Sequence, residues 1–138
     1  MIRYHIYDET LAGLTLAKGF FNGWPKPPDA ATHSCILSDS YLAIVAVDEG
    51  SQEIVGFINV LSDGILSVYI PLLEVVPAYQ NQGIGRKLME MAMVQTKHLY
   101  MLDLVCDEEM VTFYEGLGLQ RGRAMLQRNY EAQSGRQE

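Results

Sequence analysis

Apolar positions follow two rhythms along this chain. Between residues 41 and 76 they come in short, β-branched runs. "YLAIVAV" (41–47), "EIVGFINVL" (53–61) and "ILSVYIPLLEVV" (65–76) read as three strands joined by the turn sequences "DEGSQ" and "SDG", a meander that pairs antiparallel. Pro71 cannot donate to a ladder, so the last of these strands should bulge or splay beside it. "IRYHIY" (2–7) predicts a further strand ahead of the meander, and "LYMLDLVC" (99–106), almost continuously apolar, predicts one buried on both faces. Elsewhere the spacing is helical. Leu11, Leu14, Leu16 and Ala17 predict a helix within 9–20, ended by "GWPKPP" (23–28) because each proline lacks a donor and displaces the residue before it. A short helix is expected over 29–38. Ile84, Leu88, Met91 and Ala92 share one face of a helix over 84–97. Met110, Phe113, Tyr114 and Leu117 share another, opened by Asp107–Glu109 and stopped by Gly116 and Gly118. "AMLQRNY" (124–130) predicts a last strand.

This order of elements predicts a mixed α/β fold. A twisted sheet of six to seven strands is expected, flanked by about four helices. The strands at 65–76 and 99–106 are the fourth and fifth. A right-handed crossover through the helix between them makes them parallel, and they splay. One domain over 1–130 and a flexible tail over 131–138 are expected from a chain of 138 residues.

Charge narrows the function. The net charge of −7 argues against nucleic acid or anionic membrane as partners. No apolar run approaches the ~20 residues of a membrane span, and "MIRYHIYDET", which lacks a long apolar core, is not expected to act as a secretory signal. Cys35 and Cys106 match neither a metal site nor a redox pair, and His5, His33 and His98 show no metal or triad spacing. No metal is expected, and a cytoplasmic location is.

Against that acidic background, "VVPAYQNQGIGRKL" (75–88) holds no carboxylate. It runs from a strand through a glycine turn into a helix, with Arg86 and Lys87 in the first helical turn. Basic residues there oppose the helix dipole unless an anion is bound, and glycines let backbone N–H groups approach one closely. The bland alternative is a tight turn with two solvated cations. A dinucleotide fingerprint is a poorer match, because Leu88 stands where a third glycine belongs.

The segment resembles the acyl-CoA-binding motif of the GNAT superfamily of N-acetyltransferases. The matching residues are Val75, Val76, Pro77, Gln80, Gly83 and Gly85, and "TFYEGLGL" (112–119) resembles the family's Tyr-x-x-x-Gly-Phe segment. The resemblance implies acetyl-CoA as co-substrate and direct attack on it by a primary amine, from a small molecule or a peptide. It implies that the backbone of Gln80, Asn81, Gln82, Gly83, Ile84, Gly85, Arg86 and Lys87 surrounds the pyrophosphate. Glu74, Val75 and Val76 then hold the pantetheine arm like an added strand, with an N–H near Val75 or Val76 polarising the thioester. Tyr114 occupies the general-acid position. Glu74 is the first candidate base and Asp103 the second, while relatives also deprotonate the amine through water. Phe20, Phe21 and Trp24 either line the acceptor pocket or plug the sheet. The sequence departs from the pattern where an acidic run, Asp107–Glu109, replaces an Asn and where Leu119 replaces the final Phe. A homodimer is compatible with the resemblance. A domain that binds acyl-CoA without turning it over is the alternative function.

Overall fold

A computed structural model describes residues 1–135. Its six-stranded mixed sheet has the path β1-β3-β4-β5-β6, with β2 attached to β4. The strands are β1 (Ile2–Ile6), β2 (Thr15–Leu16), β3 (Leu42–Asp48), β4 (Glu53–Ser62), β5 (Ser67–Val75) and β6 (Met101–Leu104). Among the described residues there are three α-helices: α1 (Ala30–Asp39), α2 (Ile84–Gln95) and α3 (Val111–Glu115). None is long and apolar enough to cross a membrane.

The meander forms as the alternating runs require, with β3, β4 and β5 antiparallel and β5 parallel to β6 across the α2 crossover. Asn59 pairs with Leu72 but Leu61 pairs with Tyr69, so β5 carries an extra residue beside Pro71. The sheet is covered on both faces. On one, Leu88, Met89 and Ala92 of α2 pack on Ile44, Val55, Ile58 and Val68. On the other, Leu37 of α1 and the loop residue Phe21 pack on Val45, Val47, Ile54 and Phe57. Phe57 and Ile58, neighbours on β4 that face opposite ways, are both fully buried. Each such side chain contributes about 1.5–3 kcal/mol.

Two expected elements are absent. Residues 9–20 form no α-helix; a 3-10 turn at Glu9–Leu11 leads into β2. There Thr15 and Leu16 pair parallel to Glu53 and Ile54, and Ala17 N–H donates to Ile54 C=O at 2.9 Å. The edge of β4 beyond its β5 pairing thus captures the segment, overriding a local leucine spacing that Gly13 already weakened. The last expected strand, sixth in chain order, is also missing, and the sheet reaches six strands only through the unexpected β2. Residues 124–130 lie exposed, with Met125 98% accessible, and pair with no strand. Of the expected tail, Tyr130–Ala132 is a 3-10 turn and Gln133 Oε1 accepts from Lys26 N–H at 2.8 Å. Residues 136–138 lie outside the described part.

Candidate active site

The site begins where one strand outlasts its neighbour. The parallel ladder of β5 and β6 runs from Ser67 with Met101 to Ile70 with Leu104. There β6 stops, while β5 continues through Pro71 to Val75. A cleft of about 930 Å³ opens in the gap, walled by the end of β5, the turn before α2 and the start of α3.

Ladder alternation decides which backbone groups face the cleft. Val76 N–H donates to Val55 C=O at 3.0 Å, and Glu74 stands opposite Phe57 on β4. Antiparallel bonds recur at every second residue, so the main-chain groups of Glu74 and Val76 turn toward β4, and those of Leu73 and Val75 turn into the cleft. Val75 C=O accepts from Gln80 Nε2 there, at 2.9 Å. Of the three residues expected to hold an extended ligand, only Val75 presents its backbone.

The turn after β5 is an array of free donors. Gln80 N–H is bonded to Pro77 C=O and Lys87 N–H to Gly83 C=O. Between them, no backbone N–H from Asn81 to Arg86 donates to any described residue. Asn81 (φ 63°) and Gly83 (φ 84°) are left-handed, and alternating handedness curls successive N–H groups around one concavity, a shape that binds anions. Gly83 is needed for its φ; a Cβ on it would meet nothing within 4 Å. The helix dipole of α2 points into the same concavity. Arg86 also makes a 3.8 Å pair with Glu90, both half-exposed, which contributes little to stability. The turn is braced from below, where Tyr79 hydroxyl donates to Asp48 at the end of β3.

Two titratable groups reach the cleft from opposite sides of the sheet. Glu74 follows Leu72 on the face that packs against α1. It is half-buried, and its Oε1 accepts from Phe21 N–H at 2.7 Å. Burial raises its pKa above the ordinary carboxylate range, partly offset by that hydrogen bond. Tyr114, in α3, packs against the α2-side cluster. Burial, with the nearby Cys106, pushes its phenol up to about 12.

The family model for the acetyltransferase (GNAT) domain matches residues 39–121. The chain belongs to the GNAT acetyltransferase family. Among solved structures it is similar to one from Deinococcus radiodurans R1, assigned as an acetyltransferase, with 39% identity and TM-score 0.87 over 99% of this chain and 94% of that one. A GNAT family protein of Streptococcus pneumoniae TIGR4 shares 26% identity, with TM-score 0.65 over 94% of this chain and all of its own. The fold is also shared, at 18% identity and TM-score 0.63, by AAC(6')-Iy in complex with the bisubstrate analogue CoA-S-monomethyl-acetylneamine, over 94% of this chain and 98% of that one.

Within this GNAT fold the structure gathers most of the residues singled out from sequence. Glu74, Val75, Gln80, Asn81, Gly83, Ile84, Gly85, Arg86 and Tyr114 line one cleft. Lys87 N–H is spent inside the helix and Val76 N–H inside the sheet. Asp103 is exposed on the paired half of β6 opposite Tyr69; it does not line the cleft but lines an adjoining groove that shares Cys106 and Tyr114 with it. The aromatic residues divide. Phe20 and Phe21 join His33 and Phe57 in a packed cluster, whereas Trp24 reaches the cleft with Asn22. Sequence reasoning missed Asn22, Cys106 and Arg128 as lining residues. Cys106 was legible as the last residue of the expected fifth strand; nothing local marked Arg128.

Proposed function

We propose that this GNAT enzyme is an N-acetyltransferase that moves the acetyl group of acetyl-CoA to a primary amine by direct attack. The observation that carries this reading is the unpaired N–H array from Asn81 to Arg86 at the foot of a half-open β5 edge. Its concavity suits a pyrophosphate, and the edge at Leu73 and Val75 suits an amide-bearing arm lying alongside as an added strand. Val75 N–H is the donor placed to polarise a thioester carbonyl.

The amine approaches on the α1 face, where Glu74, Asn22 and Trp24 stand, and the thioester on the α2 face beside Tyr114. The amine nitrogen attacks the acyl carbon, the C–S bond breaks, the amine proton passes to Glu74, and Tyr114 protonates the departing thiolate. Glu74 is preferred to Asp103 as base because it lines the cleft. An acid pushed to about 12 stays protonated at neutral pH, as a donor must. The acceptor is a small molecule or a peptide bearing that amine.

The test has two readouts. Melting temperature should rise on addition of CoA, since a ligand selective for the native state stabilises it. Thiol release from acetyl-CoA across a panel of amines and peptides should identify an acceptor. Stabilisation by CoA with no turnover on any amine would replace this reading with that of an acyl-CoA-binding domain; no stabilisation would refute both.

A further inference from the structure

Glu74 is bonded to a residue far away in sequence. Phe21 precedes it by 53 positions, in the loop between β2 and α1, yet Phe21 N–H donates to its Oε1 at 2.7 Å. Glu74 Oε2 has no hydrogen-bond partner among the described residues. The carboxylate is thus divided, one oxygen tied to the loop and the other without a hydrogen-bond partner among the described residues, on a side chain that lines the cleft.

The loop needs such a tie. Phe21 is a non-glycine residue at φ 57°, a left-handed backbone that costs roughly 1–2 kcal/mol. It is flanked by Gly19 (φ 112°) and Gly23 (φ 86°), so the chain bends sharply on both sides. At Gly19 the loop meets the anion-binding turn closely enough that a Cβ would lie 3.0 Å from Pro77 Cδ. Phe21 is 4% exposed and packs at a tilt against Trp24 (centroids 4.9 Å apart) and edge-on against His33 (5.0 Å). Held this way, the loop sets Asn22 and Trp24 into the cleft wall on the acceptor side.

We propose that Glu74 is a positioning residue for the acceptor pocket: its Oε1 latches the loop at Phe21 and so fixes Asn22 and Trp24, while its Oε2 faces the amine. The inference rests on the acetyltransferase reading for the acceptor amine and its proton; the latch itself is a property of the protein without substrate. It also links chemistry to loop order. A hydrogen bond to a carboxylate is stronger than one to a neutral carboxyl, so arrival of the amine proton on Glu74 weakens the hold on Phe21 N–H. The acceptor wall is then loosest just after acetyl transfer, when product must leave.

Trp24 is the only tryptophan in the chain, so its fluorescence reports on this loop. The test compares Glu74→Gln, which keeps an oxygen for Phe21 N–H, with Glu74→Asp, which withdraws the oxygen by one methylene, and with Glu74→Ala. Hydrogen exchange at residues 19–24 should quicken roughly tenfold to a hundredfold in the Ala and Asp variants, with a red-shifted Trp24 emission, and stay within about threefold of wild type in the Gln variant. With the acceptor identified by the amine panel, its KM should rise at least tenfold in Glu74→Ala, be rescued in Glu74→Gln, and leave CoA affinity unchanged in both. Glu74→Gln should nonetheless lose kcat, separating latch from base. Unchanged exchange and emission in both Ala and Asp variants would overturn the latch whatever the activity shows. A loosened loop with no turnover in the wild-type enzyme would leave the latch standing and refute the transferase reading instead.

Discussion

Replacing Tyr114 by Phe tests the chemistry with little disturbance to the fold. The ring packs edge-on against Phe113 at 4.9 Å and against the α2-side core, contacts that Phe keeps. The hydroxyl makes no hydrogen bond to a described residue, so its removal strands no partner, and the melting temperature should stay within about 1 °C. Loss of a general acid should lower kcat by ~10²–10⁴, or about 2.7–5.4 kcal/mol of barrier. The magnitude has a further structural reason. A phenol at about 12 is a weak donor to a thiolate in water, whose conjugate acid ionises near ~8.5. The same burial that raises the phenol also raises a thiolate formed beside it, so donation must occur before the thiol leaves the cleft. Steady-state kinetics with the preferred acceptor, together with CoA titration, should show kcat reduced and CoA affinity unchanged. An unchanged kcat would reduce Tyr114 to a packing residue. A fall in melting temperature matching the fall in rate would refute the claim that the hydroxyl acts in chemistry rather than in structure.

Two further outcomes follow from the geometry. Gly83→Ala should cost roughly 1–2 kcal/mol from φ alone, lowering the melting temperature by several degrees, whereas Gly85→Ala, whose Cβ would sit 3.8 Å from Val75 Cγ2, should be neutral; equal losses would refute the assignment. His33 is 3% exposed, its Nε2 has no partner, and burial lowers its pKa to about 4 from 6.5. The unfolded chain therefore binds the proton that the native state refuses, and stability should fall by roughly 3 kcal/mol as pH drops from 6.5 to about 4; urea unfolding of His33→Leu should lack that slope.

Much of this arrangement was legible because local rules and tertiary demand coincide. The meander announced itself by β-branched runs and an Asp-Gly turn, α2 by its apolar stripe, and the bulge by Pro71. The turn of unpaired N–H groups after β5 was legible as a glycine turn opening a helix, because Gly83 and Gly85 follow a strand and precede an apolar stripe. Where a distant partner decided the outcome, sequence misled. The leucines at 11, 14 and 16 have helical spacing, but a vacant stretch of β4 edge takes Thr15 and Leu16 as a strand. The stretch 124–130 has a strand's composition, yet it stays unpaired across a groove from the outer edge of β6. The Phe21–Glu74 bond was illegible for the same reason, since it depends on three left-handed residues in a loop that no local pattern specifies.

The unfinished edge of β5 also shapes how the protein survives outside its reaction. A strand with open donors and acceptors is a template for any extended chain, and proteins ordinarily shield such edges with charge, proline or a covering element. Here Gln80 Nε2 already covers Val75 C=O, and on the proposed reading the pantetheine arm of acetyl-CoA would cover the remaining groups at Leu73 and Val75. If that reading holds, the protein without acyl donor would present an open strand edge to its neighbours. On that reading its shelf life, solubility during purification and resistance to clumping should all track how much CoA is added, and their indifference to CoA would count against it.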